Sequence, residues 1–479
     1  MYVFGIRTTP PRRGARCGLA GALLLGLAAA TAGCPGGDQG APTPSPGSEE
    51  AGADAADVST PDARDASAPD VAPTDASVPE VAPADTGVPD APDAAPADGG
   101  TGCGSAPAAA LPSTAHDATW WQPEGAVHAL AWSDDSSKLV VGGTFASVRS
   151  PDGASTTSVT NLAVLDATTG QPIPGYPAVV GDIADISVSG DTAYVVGDVT
   201  QVNGAVRTRG FAFSLSSKAL AAWAPTFAGT PPYSPSVKLV RATAGGVFVG
   251  GYFTAVGGSA RFNVAALDGA TGSATAWAPP ALGVGAAHEV SVRALAIASD
   301  RVFVGGDIDV TGGDGVRRRR IAALDLTSGA VLPWSPSVPA GDSVYAIEVS
   351  RDLVAIGTPQ SGLLSVPSMI VADARSGAVC WQASLANAQG FYRLGVARGV
   401  VFGGGLTGTL FTAGSAYKAF ALSGGAPLGW GADLYAQDGS AATVEDLAVA
   451  PNGTLAISGN RVGKGGVGTP APKLMVYRP

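Results

Sequence analysis

Residues Arg301–Gly313 read RVFVGGDIDVTGG, and Gly246–Gly258 read GVFVGGYFTAVGG. Their shared core, V-x-V-G-G, recurs as LVVGGTF (Leu139–Phe145) and YVVGDV (Tyr194–Val199). Worn copies follow as LVAIGT (Leu353–Thr358), VVFGGGL (Val400–Leu406) and LAISG (Leu455–Gly459). These seven copies stand about fifty residues apart. Repetition at that period marks a series of equivalent supersecondary units.

Each unit holds four strand-like pieces. The first alternates apolar and polar residues, as in VHALA (Val127–Ala131), VRALAI (Val292–Ile297) and VYAIEV (Val344–Val349). The second is the V-x-V-G-G run, whose continuous Val and Phe suit a strand covered on both faces; glycines ending it allow a bulge or close backbone approach. The third is apolar and ends near Asp: NLAVLD (Asn161–Asp166), VAALD (Val264–Asp268), IAALD (Ile321–Asp325). A Thr/Ser-Gly turn then leads to a tryptophan piece: AWAP (Ala222–Pro225 and again Ala276–Pro279), PWSP (Pro333–Pro336), CWQA (Cys380–Ala383). Four strands per repeat at this period predict an all-β chain, a seven-bladed β-propeller of four-stranded blades. Tryptophan reads as a wedge between the outer edges of neighbouring blades, and Tyr176 takes its place in the first unit. The last unit stops at its third strand, Leu474–Pro479, while Trp121-Gln122-Pro123 is a W-x-P piece with no unit before it. That N-terminal strand is expected to complete the last blade and close the ring, hiding sheet edges that would otherwise template aggregation.

GGYFTAVGGSARFNVAALD (Gly250–Asp268) and GGDIDVTGGDGVRRRRIAALD (Gly305–Asp325) resemble the delta-60 repeat of bacterial secreted and lipoprotein β-propellers. The resemblance covers residues 115–479, strongest in the third and fourth units. It implies a propeller at the cell surface or secreted, and no catalytic residues. VADARSGAVCW (Val371–Trp381) is similar to the repeat of pyrroloquinoline-quinone propellers, but no other unit shares its Gly-to-Trp spacing.

The N-terminus reads as an address. Residues 1–33 set four arginines before an apolar run, Gly18–Ala30, the layout of a secretory signal peptide. The run ends TAGC (Thr31–Cys34), which resembles a lipobox and implies lipid attachment at Cys34, with Thr31 departing from the pattern. The alternative is an A-x-A cleavage site, Ala30-Thr31-Ala32, which would release a soluble periplasmic or secreted protein. Residues 34–112 are rich in Pro, Ala and Asp, with fourteen acids against one base after Cys34. Such a segment has too little apolar surface for a core and is expected to be a disordered linker. The propeller domain is placed at 113–479. With the formal charge of −11 concentrated in the linker, no basic stripe marks a nucleic-acid binder.

Chemistry is sparse. His116, His128 and His288 show no zinc spacing, and no nucleophile elbow or P-loop is present. Most Asp fall at the repeated turn slot, where the side chain can accept backbone N–H bonds. Asp307, Asp309 and Asp314 are candidate Ca²⁺ ligands, or simply a polar turn. Arg317, Arg318, Arg319 and Arg320 are a candidate anion-recognising patch, although Arg318 aligns with Arg207 and Arg261 and so reads as a structural position. Cys103 and Cys380 are left to pair once Cys17 and Cys34 are accounted for. No other cofactor is expected. The functional reading is a cell-envelope lipoprotein, anchored in the outer membrane or at the cell surface. Its monomeric, non-enzymatic propeller binds or scaffolds protein or glycan, with no nucleic-acid partner and only the lipid anchor touching membrane. The alternatives are a propeller enzyme, quinoprotein-like or a hydrolase or lyase, and a structural envelope protein without a specific ligand.

Overall fold

The computed structural model describes Cys103 and residues 111–283, 291–338, 343–359, 368–383, 390–405, 417–430, 443–460 and 473–479. The signal peptide, Cys34, most of the linker and His288 lie outside the described residues. Among those described there is no helix, and every strand pairing is antiparallel.

Each repeat folds into one meander. The first unit pairs Gln122–Trp132, Lys138–Arg149 and Leu162–Asp166 in that order, and the fourth pairs Ser291–Ile297, Arg301–Thr311 and Arg317–Asp325. The first strands of the others are Ile183–Ser189, Ser236–Thr243, Ala346–Ser350, Arg393–Ala397 and Thr443–Val449. Each first strand packs on the first strand of the next unit, and Thr443–Val449 returns to Gln122–Trp132. Sheets arranged in such a cycle make a β-propeller. The apolar clusters follow this arrangement, each joining two neighbouring units.

The two glycines of V-x-V-G-G are required for different reasons. A side chain on the first glycine would overlap the next unit: Gly305 faces Val344 and Ile347, and Gly142 faces Ile183 and Ile186. The second lies opposite a bulge in the first strand, as between Val292 and Ala294. There Gly306 adopts φ 144° beneath the Ser291 carbonyl, and Gly251 adopts φ 159° beneath that of Ser236.

The turn aspartates also repeat. In Asp325 the Oδ1 atom accepts from Thr327 N (3.1 Å), Ser328 N (2.7 Å) and Ser328 Oγ (2.7 Å). Asp166, Asp268 and Asp373 make the same three bonds. These bonds hold the Asp268 and Asp325 carboxyls below the usual range, the neighbouring hydroxyl contributing most. A depressed folded-state value stabilises the fold above the unfolded value, near pH 4, and that contribution is lost as pH falls through the folded value. Stability in equilibrium unfolding is therefore expected to fall steadily below about pH 4. Asp325→Asn should flatten that decline.

The fourth piece departs from the expectation. It is regular strand only at Val379–Ala383 among the described residues. Elsewhere it shrinks to one bridge, such as Leu324↔Val331 or Phe420↔Pro427. Proline in and after these pieces removes the N–H that a longer ladder needs. What persists is the aromatic wedge. Trp334 is fully buried, 4.7 Å from Phe303 of its own unit, and its Nε1 donates to Asp373 O of the next at 3.0 Å. Trp277 and Trp381 bridge likewise to Asp325 O and Leu422 O. Tyr176 does the same in the first unit, its hydroxyl donating to Leu215 O at 2.6 Å.

Closure also differs in register. Ser113 N donates to Arg478 O and Asp117 N to Val476 O, both at 2.7 Å, so residues 113–117 run beside the last strand. Gln122 and Pro123 instead begin the first unit's own strand, opposite Arg149 and Val148. The buried ring is Trp120, 1% exposed, with Leu474 and Val476 in its cluster. Trp121 N donates to Gly170 O in the first unit's turn. The Gln122 side chain adds a clamp: Oε1 accepts from Lys473 N and Leu474 N at 3.1 Å, and Nε2 donates to Leu474 O at 3.0 Å.

Candidate functional site: the axial channel

The first strands present their outer edges to the propeller axis, so their N–H groups need acceptors there. Side chains of the preceding unit supply them. Asp185 Oδ2 accepts from Val240 N at 2.8 Å, Asp446 Oδ2 from Leu130 N at 2.7 Å, and Ser187 Oγ from Ala242 N at 2.9 Å.

Two arginines join this ring. Arg241 Nη1 donates to Asp185 Oδ2 at 2.6 Å and to Val240 O at 2.7 Å. Arg393 Nε donates to Glu445 O at 2.6 Å and stands 3.8 Å from Asp446 Oδ1. Glu348 projects from Ala346–Ser350 at the same level as Arg241, four residues after Val344 as Arg241 is four after Val237. It has no hydrogen-bond or ion-pair partner among the described residues. Glu348 and Arg241 line one cavity of about 180 Å³ with Ala242, Thr243, Ala296, Ile297 and Val349.

These side chains touch some water yet are enclosed by protein, and the enclosure sets their charge. Burial pushes Glu348 up to about 7; Arg241 opposes the rise, and Asp446 and Asp185 add to it. Burial also pushes Asp446 up to about 6, against Arg393 and with repulsion from Asp185. Burial works against the charge on Arg241, but Asp185, Glu348 and Asp446 more than offset it and raise its pKa. An acid raised on folding binds its proton more tightly in the native state, so stability falls as pH rises between the unfolded and folded values. Glu348→Gln is therefore expected to stabilise the protein at pH 8 by about 2 kcal/mol, and to change little at pH 4. Urea unfolding at the two pH values checks this.

At the first-strand bulge, His128 Nδ1 meets Asp182 Oδ1 at 2.8 Å, and Thr144 Oγ1 donates to the same oxygen at 2.9 Å. That bond, with opposing desolvation, raises the histidine's pKa. His116 packs edge-on against Tyr477. A second cavity of about 240 Å³ opens between Thr157–Val164 and Pro172–Ala178 of the first unit. No charged side chain lines it.

The residues singled out from sequence are arranged differently from a ligand set. Asp307, Asp309 and Asp314 do not converge, and no group of three metal-ligating side chains occurs among the described residues. Asp307 pairs with Arg293 at 2.8 Å, Asp309 with Arg317 (Nε–Oδ1, 2.6 Å) and Arg319 (3.4 Å), and Asp314 with Arg318 at 2.5 Å. Those pairings also occupy the arginine patch. Arg318 is 2% exposed, with Nε donating to Trp334 O at 3.1 Å. Arg207 and Arg261 likewise reach the carbonyls just before their own tryptophan pieces, Ala221 O and Thr275 O, through Nη2, which makes this a repeated structural arginine. Arg320 takes a left-handed backbone, φ 70°, as do Asn161, Arg209 and Asn263 at the equivalent position. Cys103 and Cys380 are joined as a disulfide, with Cα atoms 5.4 Å apart.

Sequence reasoning missed Arg241 and Glu348. The available signal was a charge in a slot otherwise filled by Ala131, Ser187, Ala296, Gly395 and Ala448.

No family model and no curated protein matches the chain. Among solved structures it is similar to the β-propeller domain of Cps50 (Swd1) from Myceliophteria thermophila. That match has 9% identity and a TM-score of 0.48, covering 76% of this chain and 99% of the other. It is also similar to U3-55K, with 10% identity and a TM-score of 0.46, covering 74% of this chain and 96% of the other.

Proposed function

We propose that the protein is an exported, lipid-anchored, seven-bladed propeller that binds a protein or glycan at the cell envelope without catalysis. The observation that carries this reading is a rim of hairpins raised by the first four units. Each joins a second strand to a third, so all stand on one face of the ring. Gln201–Val202 pairs with Val179–Val180 on one side and Ala205–Val206 on the other, and Ala255–Val256 pairs likewise with Phe227–Ala228 and Ser259–Ala260. The first and fourth units extend their own strands, through Ser147↔Ser158 and Asp309↔Arg319. This rim exposes Val206 (73%), Phe262 (40%) and Val316 (47%) among its charged pairs. Large side chains exposed on rigid hairpins suit recognition of a surface. In this reading Cys34 carries the lipid, residues 34–112 form the stalk, and residues 113–117 supply the missing edge of the seventh blade. The Cys103–Cys380 bond fits an oxidising compartment.

Proximity labelling on intact cells tests the proposal. Full-length protein should label a reproducible set of envelope components, and a Val206→Asp/Phe262→Asp variant of equal abundance should lose them. Equal labelling by both would reject the rim as the binding face. A catalytic reading has one observation behind it, the near-neutral carboxyl of Glu348 beside Arg241. It would gain ground if a chemical change in a captured partner vanished with Glu348→Gln while capture persisted.

A further inference from the structure

Glu348 and Arg241 carry opposite charges and line the same cavity, yet they form no ion pair. Each has unused bonding capacity. The Glu348 carboxylate accepts nothing from the described residues, although an ionised carboxylate offers about four acceptor positions. Arg241 commits Nη1 to Asp185 and Val240 O, and no described residue accepts from its Nε or Nη2. The rest of the lining is Ala242, Thr243, Ala296, Ile297 and Val349, none of them charged. Thr243 spends its hydroxyl locally, on Gly246 O and Gly245 N. The cavity is thus a small space whose lining holds both an open acceptor and an open donor.

We propose that this axial cavity binds a small zwitterion of the amino-acid class, its ammonium on Glu348 and its carboxylate on Arg241. Among the described residues Glu348 pairs with no cation, and Arg241 keeps Nε and Nη2 beyond its bonds to Asp185 and Val240 O. A ligand ammonium answers the first and the same ligand's carboxylate the second, with no change in net charge. The planar guanidinium fork suits a carboxylate, and both contacts are charge-assisted bonds, the stronger kind. A cavity of about 180 Å³ is below the range of sites for drug-sized ligands, which admits a single small molecule and excludes a polymer. The inference does not depend on what the hairpin rim binds.

Proton linkage gives the site a signature. Glu348 must be ionised to hold an ammonium, so binding displaces its proton at pH 6 and not at pH 8. The charged groups facing Glu348 are Arg241, Asp185 and Asp446. Asp446, also raised, reinforces the trend below pH 6.

Isothermal titration of the full-length, disulfide-bonded protein with glycine, L-alanine, β-alanine and γ-aminobutyrate tests the proposal, with methylamine and acetate as half-ligands. The expected result is one site for at least one of the four zwitterions, at least tenfold tighter than either half-ligand. Its affinity should rise about tenfold from pH 6 to pH 8. Glu348→Gln, which keeps shape and removes charge, should weaken binding at least tenfold and abolish the pH dependence. No heat from any of the four, equal binding by a half-ligand, or unchanged binding by Glu348→Gln would each overturn the assignment. Capture of an envelope partner at the rim can succeed or fail independently of these results.

Discussion

Trp120→Ala is expected to remove about 3–5 kcal/mol of stability, and Trp121→Ala less than about 1.5 kcal/mol. The two residues are adjacent and chemically identical, so the contrast isolates register. Trp120 is 1% exposed and packs edge-on against Trp132, with the Arg478 guanidinium 6.0 Å from its ring centre. Its cluster joins Leu130 and Leu139 of the first unit to Leu474 and Val476 of the last. Trp121 is only partly buried against that cluster. Deleting the Trp120 ring therefore opens a cavity where the ring of blades closes, beside the Ser113–Arg478 and Asp117–Val476 bonds. Urea unfolding gives the stability change, and limited proteolysis near residue 113 should report the opened joint. Greater damage from Trp121→Ala would mean that the tryptophan slot is filled one residue later.

Gly306→Ala is expected to be nearly as costly, about 3–5 kcal/mol, from backbone strain together with overpacking. At φ 144° a β-carbon on Gly306 would overlap the carbonyl of Ser291. That carbonyl is fixed by the first-strand bulge and cannot move without disturbing the Val292 contact with the neighbouring blade. Gly313→Ala is the matched control. It lies in the same unit, but nothing approaches within 4 Å of its added carbon. It should shift stability by less than about 0.5 kcal/mol. Comparable losses at both positions would remove the bulge from the explanation of the G-G signature.

The period of V-x-V-G-G was legible because the second strand of each unit is covered on both faces. A continuous apolar run is the trace that such burial leaves in a sequence. The tryptophan piece misled in two ways. W-x-P describes a wedge and its exit, and cannot distinguish a strand from a single bridge, so the fourth strands were overcounted. At the Trp120-Trp121 doublet the same pattern fell one residue late, because Gln122 carries the clamp and Pro123 already belongs to the first strand. Clustering in sequence was a poor guide to the site. Asp309, Arg317 and Arg319 lie close in the chain because a hairpin pairs them with each other, and Arg318 turns to Asp314. Arg241 and Glu348 stand two units apart, and only the cyclic arrangement of blades brings them to one cavity. The alternating first-strand pieces show that these side chains point inward, but not what they meet.

The covalent link from Cys103 to the outer strand of the fifth blade has a mechanical consequence. A pull applied upstream of Cys103 is shunted through sulfur into Val379–Ala383, a strand hydrogen-bonded along its length to Met369–Asp373. Residues 113–117, joined to the last blade by a few hydrogen bonds, are spared the load. With the link oxidised, that sheet bears the tension; once it is reduced, the same tension falls on the few hydrogen bonds of the seam.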